Sequence, residues 1–234
     1  LIEDYQNYRF HIAFHKIHNF CANDLGGFYL DVLKDRLYTC PKDSVARRSS
    51  QTILNQVLEA LVRWISPILS FTAEEAWCLY HSDLESVHLS EWFEDWLSSS
   101  EGSISESDWE QVLKIRSEVN KIIESSRNSG LIGSALEAEI ELFCDKDLEK
   151  ILNKFSGELR FIFITSEATV LPESNLGLAT DLEGLRVSVK KTTNKKCQRC
   201  WHSRPEVGSL KNHPTLCNRC IENLEGKGEI RLFA

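Results

Sequence analysis

The sequence predicts a mainly α-helical fold: an N-terminal helical bundle, a small mixed α/β module, and a C-terminal ribbon organised by four cysteines. Three observations predict it. Apolar residues recur at helical spacing through roughly the first hundred positions, as they do on the buried face of an amphipathic helix. The period changes to alternation after Gly130, which marks strands. Finally, Cys197, Cys200, Cys217 and Cys220 form the pattern C-x2-C-x16-C-x2-C. The 234 residues, 42% hydrophobic and 26% charged, are globular in proportion and long enough to bury a core, which excludes a disordered chain. No apolar run approaches the ~20 residues needed to span a bilayer.

In the bundle, Phe10, Phe14, Ile17 and Cys21 recur on one predicted helical face, and Gly26-Gly27 marks a break or a close approach. A second helix carries Phe28 and Val32 with Tyr29, Leu33 and Leu37. After the loop Thr39-Cys40-Pro41-Lys42-Asp43, Ser44 can cap a long helix with an apolar stripe of Leu54, Val57, Leu58, Leu61 and Ile65, interrupted near Pro67. Thr72 and Glu75 are placed as a capping box for a fourth helix through Trp77 and Tyr80. Four amphipathic helices with short links make a bundle.

Between Glu91 and Glu110 stand seven acidic residues, no basic ones, and the cluster Ser98-Ser99-Ser100, so this stretch is the predicted linker. Ser107 and Glu110 repeat the capping-box pattern ahead of a helix through Val112, Ile115, Val119 and Ile122, closed near Gly130. Leu136, Ala138, Ile140 and Leu142 alternate with polar partners, as do Leu185, Val187 and Val189. These segments and the apolar run from Leu159 to Thr165 are predicted strands, with a helix from Asp147 to Phe155.

The formal charge of −8 disfavours a polyanion partner, but the distribution reverses the impression. From Arg186 onward there are 11 basic residues against 4 acidic, a net +7, and the preceding residues carry −15. A basic end on an acidic body suits a polyanion contact at that end. The absence of methionine, with Leu1-Ile2-Glu3 at the start and no secretory leader, suggests a piece of a longer protein.

Cys21, Cys40, Cys78 and Cys144 are scattered among apolar segments and read as small buried hydrophobes. The other four have the spacing of a tetrahedral zinc site. Four thiolates leave no open position for water, so the predicted ion is structural, and it supplies folding free energy that a segment of about 35 residues cannot obtain from its own core. Lys195, Lys196, Arg199 and Arg219 lie where they can offset the excess negative charge. His202 and His213 are spare ligand candidates, better read as surface or supporting residues beside a complete cysteine set. Trp201 can either stack on a base or cover the metal.

Three stretches carry a resemblance. Phe28-Tyr29-Leu30-Asp31-Val32-Leu33-Lys34-Asp35-Arg36-Leu37-Tyr38, then Ser44 with Arg47-Arg48-Ser49-Ser50-Gln51-Thr52, then Ser66-Pro67-Ile68-Leu69-Ser70-Phe71-Thr72-Ala73-Glu74-Glu75-Ala76-Trp77, together resemble the anticodon-binding helical domain of the isoleucyl-tRNA synthetases. Lys196-Cys197-Gln198-Arg199-Cys200-Trp201-His202 with Leu216-Cys217-Asn218-Arg219-Cys220 is similar to the C-terminal zinc finger of the bacterial type. The Pro-Ile-Leu to Trp stretch is shared with the valyl and leucyl enzymes, so these stand as the nearest alternative. A free-standing zinc-ribbon module that binds nucleic acid or protein is the alternative from another class.

The resemblance implies an anticodon-binding bundle over 1–97, an acidic linker over 98–106, a helix plus small α/β module over 107–194, and a zinc-ribbon finger over 195–234. It further implies a class I aminoacyl-tRNA synthetase as parent, with tRNA(Ile) as partner. In that class the adenylation signatures are His-Ile-Gly-His and Lys-Met-Ser-Lys-Ser. Here His11-Ile12-Ala13-Phe14 sits at a helical position and methionine is absent, so no catalytic residue is expected in this chain. ATP and isoleucine, and the catalytic and editing domains, would belong to the N-terminal part of a monomeric, cytoplasmic parent. The tRNA contacts implied are Lys34, Arg36, Arg47 and Arg48 in the bundle, and Arg199, Trp201 and Arg219 in the finger. Lys34 and Arg36 can alternatively pair with Asp31 or Asp35 along their own helix. Arg47-Arg48 at a helix start opposes the helix dipole, a placement that favours an anion nearby.

Overall fold

The structure, a computed structural model, describes residues 1–81, 85–97, 104–155 and 157–234. Of the predicted linker, residues 98–103 lie outside the described residues. The chain divides into two compact units, Leu1–Lys34 with Arg47–Ser98, and Asp35–Ala46 with Ser99–Ala234. The second unit is therefore discontinuous in sequence.

The first unit is helical, as the periodicity requires. It holds α1 (Ile2–Gln6), α2 (Phe10–Asn19), most of α4 (Val45–Ile65), α5 (Ser70–Tyr80) and the first half of α3 (Leu30–Thr39). Its buried residues include Ala13, Ile17, Leu25, Val32 and Leu33, and a cluster of Val62, Ala73, Trp77 and Val87. Buried Asp4 is paired with Arg9 at 2.9 Å and Lys16 at 2.6 Å, which fixes the turn between α1 and α2.

Two expectations need correction here. The stripe Phe10, Phe14, Ile17, Cys21 does not form one buried face: Ala13 and Ile17 are buried, while Phe10 and Phe14 are 43% and 47% exposed. After Asn19 the helix widens into a π-helical stretch, Phe20–Tyr29, which shifts the phase of every following side chain. Gly26-Gly27 lies inside it, and a β-carbon on Gly26 would stand 3.1 Å from the Cys21 carbonyl oxygen. The capping box of Thr72 and Glu75 is also absent. Helix α5 starts at Ser70 after Leu69 with no side-chain cap, because the backbone turn closed by Leu69 N–H on Ile65 carbonyl runs directly into it. Glu74 acts instead: its carboxylate accepts from Val87 N–H at 3.0 Å and Ser86 Oγ at 2.8 Å, and Trp77 Nε1 donates to Glu85 carbonyl at 2.6 Å.

The second unit is built on a four-stranded sheet in the order β2-β1-β4-β3, with β1 Ala138–Cys144, β2 Glu167–Pro172, β3 Leu178–Ala179 and β4 Leu185–Lys191. β1 and β2 are parallel, and the connection between them carries α7 (Lys146–Asn153) and the short α8 (Leu159–Ile162). β4 runs antiparallel to both β1 and β3. The register sets Leu142 opposite Val187, and both are buried, as the alternating pattern demands. Helix α6 (Glu106–Asn128) supplies buried Val112, Ile115, Val119 and Ile122 and ends before Gly130, whose φ of 76° suits glycine.

The run from Leu159 to Thr165 is a helical turn rather than a strand. Leu159, Phe161, Ile162 and Phe163 are all buried, and a short fully buried run has no periodicity to distinguish the two forms. The cap of α6 lies two residues earlier than expected: Ser105 Oγ accepts from Asp108 N–H at 3.2 Å, and the Asp108 carboxylate accepts from Ser105 N–H at 2.9 Å. Lys154 Nζ reaches the same carboxylate at 2.7 Å, tying the end of α7 to the start of α6.

Lys154, followed by the Ser105 hydrogen bonds, lowers the Asp108 carboxyl to about 2. A carboxyl depressed in the folded state stabilises fully above its unfolded value near ~3.9 and loses that contribution as pH falls towards the folded value. Asp108→Asn is therefore expected to lower the melting temperature at neutral pH, with the difference from the parent closing between about pH 4 and pH 2. Thermal melts of both proteins across that range check it.

Candidate functional site

The last forty residues fold around sulfur. An isolated bridge between Lys196 and Ser203 closes the first Cys-x-x-Cys turn, with Cys197 N–H on His202 carbonyl at 2.9 Å and Trp201 N–H on Cys197 carbonyl at 3.0 Å. Trp201 has a φ of 66°, the left-handed conformation that lets the chain double back under the ligands. The second turn sits at the start of α9 (Asn218–Glu225), with Cys217 in the capping position. All four cysteines are buried, Val207 packs with them, and their sulfurs lie within 4.8 Å of one another.

These sulfurs fit a tetrahedral ion. Cys200 Sγ and Cys217 Sγ are 3.7 Å apart, and four sulfurs at about 2.3 Å from a zinc ion would be separated by about 3.8 Å. Cys217 N–H points at Cys197 Sγ at 3.4 Å, a polar contact that favours thiolate. Hydrogen bonds from Cys200, Cys217 and Cys220 depress Cys197, whereas contact with Cys197 pushes Cys200 up to about 12 and raises Cys220 as well. One thiolate thus opposes the next, and a dication at the centre removes that opposition. Neither histidine joins the sulfur cluster. His213 pairs with Glu225 at 3.0 Å, and His202 is buried with its ring against Phe161 and its Nδ1 3.2 Å from Cys200 carbonyl oxygen.

Each Cys-x-x-Cys turn has arginine in its third position, and the structure brings both arginines onto residues 35–39. Arg219 places Nη1 and Nη2 at 2.6 and 2.7 Å from the two oxygens of Asp35, and Nη1 also meets Glu229 at 2.9 Å. Arg199 Nη2 donates to the carbonyls of Tyr38 at 3.3 Å and Thr39 at 3.1 Å. A third arginine, Arg231, is fully buried, bonds Asp35 at 2.8 Å, and lies 3.3 Å from the Phe161 ring centre. Burial alone would raise the Asp35 carboxyl, but Arg219 and Arg231 outweigh it and hold the group well below the usual carboxylate range. Glu158 completes the arrangement by accepting the backbone N–H groups of Leu232, Phe233 and Ala234 at 2.7–2.9 Å.

The remaining candidates are placed as follows. Lys34 pairs with Asp31 at 2.7 Å on the exposed face of α3, and Arg36 is buried. In the first unit, Arg47 and Arg48 occupy the first turn of α4, where no acidic residue accompanies them, and Arg48 is exposed with Gln51 3.4 Å away. Trp201 is 60% exposed, with Lys196 Nζ 5.4 Å from its ring centre. Sequence reasoning missed Asp35 and Arg231 as members of a buried network, and Tyr38, which is 76% exposed beside the Arg199 contact. Asp35 stands between Lys34 and Arg36 in a pattern that suggests local pairing, and nothing in its neighbourhood signals a partner 184 positions away.

A helical unit of this kind, joined to a four-cysteine finger, defines a class. The profile described as the anticodon-binding domain of tRNA ligase matches residues 1–142, and the chain belongs to that family. The zinc finger found in FPG and IleRS matches residues 194–223 and contains all four clustered cysteines. Among individual proteins, the chain is 47% identical over 231 residues to an isoleucine–tRNA ligase of Acinetobacter baylyi, covering 98% of the chain and 24% of that protein. It is 48% identical over 239 residues to the isoleucine–tRNA ligase of Shewanella sp. strain MR-4, and 48% over 238 residues to that of Methylococcus capsulatus, in each case across 100% of the chain and 25% of the relative. The chain thus spans about a quarter of the length of these relatives. Among the described residues, no helix is long and apolar enough to cross a membrane.

Elemental analysis of the purified protein is expected to find about one zinc per chain, and the double change Cys197→Ser, Cys200→Ser is expected to abolish it while most helical circular dichroism persists. A metal-free native protein would refute the site. Asp35→Asn leaves two buried guanidinium groups short of their counter-charge, so urea unfolding should show a loss of about 3–5 kcal/mol.

Proposed function

We propose that this chain is the tRNA-recognition part of an isoleucine–tRNA ligase, holding tRNA(Ile) by its anticodon end while domains outside this chain carry out ATP-dependent aminoacylation. The observation that carries the proposal is the coexistence, in one chain and in the same order as in isoleucine–tRNA ligases, of an anticodon-binding unit and a four-cysteine finger. In this reading ATP and isoleucine bind the catalytic part of the parent, the zinc ion is structural, and the parent is a cytoplasmic monomer. The anticodon-binding bundle, linker, α/β module and finger are then the stretches 1–97, 98–106, 107–194 and 195–234, amended in that residues 35–46 group with the second unit and the linker ends before the Ser105 cap of α6.

The chemistry suits an RNA loop. Unpaired nucleotides are recognised by cations on phosphates combined with stacking on aromatic rings and hydrogen bonds to base edges. Arg47 and Arg48 at the first turn of α4 place positive charge where the helix dipole is also positive, a combination that attracts a phosphate. Exposed Lys34, paired with Asp31 on α3, is a further candidate contact, and Trp201 offers an exposed ring with Lys196 beside it. Arg36 is buried, and the Arg219 side chain, 10% exposed, is bonded to Asp35.

Filter binding with isoleucine tRNA and valine tRNA tests the proposal. A preference for isoleucine tRNA is expected, with log affinity falling linearly as log salt concentration rises. Equal affinity for the two tRNAs would count against it.

A further inference from the structure

We propose that Tyr38 is a base-stacking residue of the tRNA site, and that Arg199 and Arg219 are positioning residues that hold Tyr38 in place rather than groups that touch the nucleic acid. The inference rests on the tRNA reading above and assigns its contacts. The ligand is an unpaired nucleobase of an RNA loop.

Tyr38 occupies the last turn of α3 with its side chain 76% exposed, while the residues that follow it, Thr39 and Cys40, are each 2% exposed. The backbone around it carries several hydrogen bonds. Thr39 Oγ1 donates to Asp35 carbonyl at 2.7 Å, Cys40 N–H donates to Arg36 carbonyl at 3.2 Å, and Arg199 spans the Tyr38 and Thr39 carbonyls. Asp35, one helical turn before Thr39, is gripped by Arg219 and Arg231. A large ring on a hydrogen-bonded helical backbone, with only two side-chain torsions to order, loses little entropy when a base stacks on it.

The arginines themselves are poorly placed for phosphate. Arg219 is 10% exposed and both its terminal nitrogens are bonded to carboxylates. Arg199 uses one nitrogen for two carbonyls that close a helix, the end of the helix dipole where a cation belongs. Both arginines lie between ligand cysteines, so the folded finger sets where they reach. The same first turn also displays Trp201. The finger therefore presents one aromatic ring directly and secures a second on α3.

The test uses the zinc-loaded full chain and a transcript of isoleucine tRNA, with binding measured at several salt concentrations and amide hydrogen exchange followed over residues 35–46. Tyr38→Ala is expected to weaken binding about tenfold, the scale of one lost base–aromatic stack, with exchange and zinc content unchanged. Tyr38→Phe should restore most of the lost affinity. Arg199→Ala should keep its zinc, speed exchange across 35–46, weaken binding by a similar factor, and leave the salt slope as it was; in a Tyr38→Ala background it should cost little more. Wild-type affinity in Tyr38→Ala would overturn the stacking role. A salt slope reduced by about one in Arg199→Ala would identify a phosphate contact and overturn the positioning role. Arg219→Lys supplies a second variant that retains charge in the buried network; it should show the same faster exchange, and parent-like exchange would count against the clamp. Failure of the unaltered chain to bind any tRNA would overturn the tRNA reading itself, an outcome separate from all of these.

Discussion

One carboxylate joins the parts of the C-terminal unit. Asp35 receives Arg219 from the finger helix and Arg231 from the last residues of the chain, and each of those guanidinium groups also stacks near Phe161 of the sheet module. A buried charge is tolerated only where opposite charge and hydrogen bonds replace its water, and here two arginines and a second carboxylate, Glu229, share that task. Such a centre adds geometric definition more than net stability: an apolar cluster could fill the same volume, but it would not fix the end of α3 to a single register against α9.

The sulfur cluster acts upstream of that centre. Zinc ribbons are too small to order themselves by apolar burial, and in this one Val207 and Leu216 are the hydrophobic residues packed with the four cysteines. The ion would define the two turns, the turns aim Arg199 and Arg219, and the arginines fix residues 35–39. An ion held by these four cysteines would have no open coordination position and would be chemically inert, yet its consequences would reach a segment distant in sequence. Three of the finger's basic residues, Arg199, Arg219 and Arg231, face inward onto Asp35, Glu229 and backbone carbonyls, while Lys195, Lys196, Lys211 and Lys227 remain exposed.

The sequence made some of this legible and hid the rest for identifiable reasons. Helix α6, β1, β4 and the cysteine site each carry a signal within a short window, through period or spacing, and each lies where that signal placed it. The cap of α6 shifted because Ser105, Ser107, Asp108 and Glu110 offer overlapping capping patterns, and only burial of Asp108 beside Lys154 selects one. β3 is two residues long and leaves no pattern to detect. The π-helical stretch begins at Phe20 and breaks the helical period without breaking the helix, so it displaces Cys21 from the stripe, whereas Phe10 and Phe14 lie on the exposed side of an ordinary α-helix and nothing in their spacing signals it. The clamp was invisible because Asp35, Arg219 and Arg231 meet only in three dimensions, and charged residues in amphipathic helices ordinarily face solvent.

The discontinuity of the second unit also sets an order of events during synthesis. Asp35 leaves the ribosome 184 residues before Arg219, which at about 5–20 residues per second is a wait on the order of 10–40 s. Through that interval the end of α3 has no counter-charge and its carbonyls have no arginine. The segment from 35 to 46 can complete its contacts with Arg199, Arg219 and Arg231 only once Arg231, fourth from the end of the chain, has emerged.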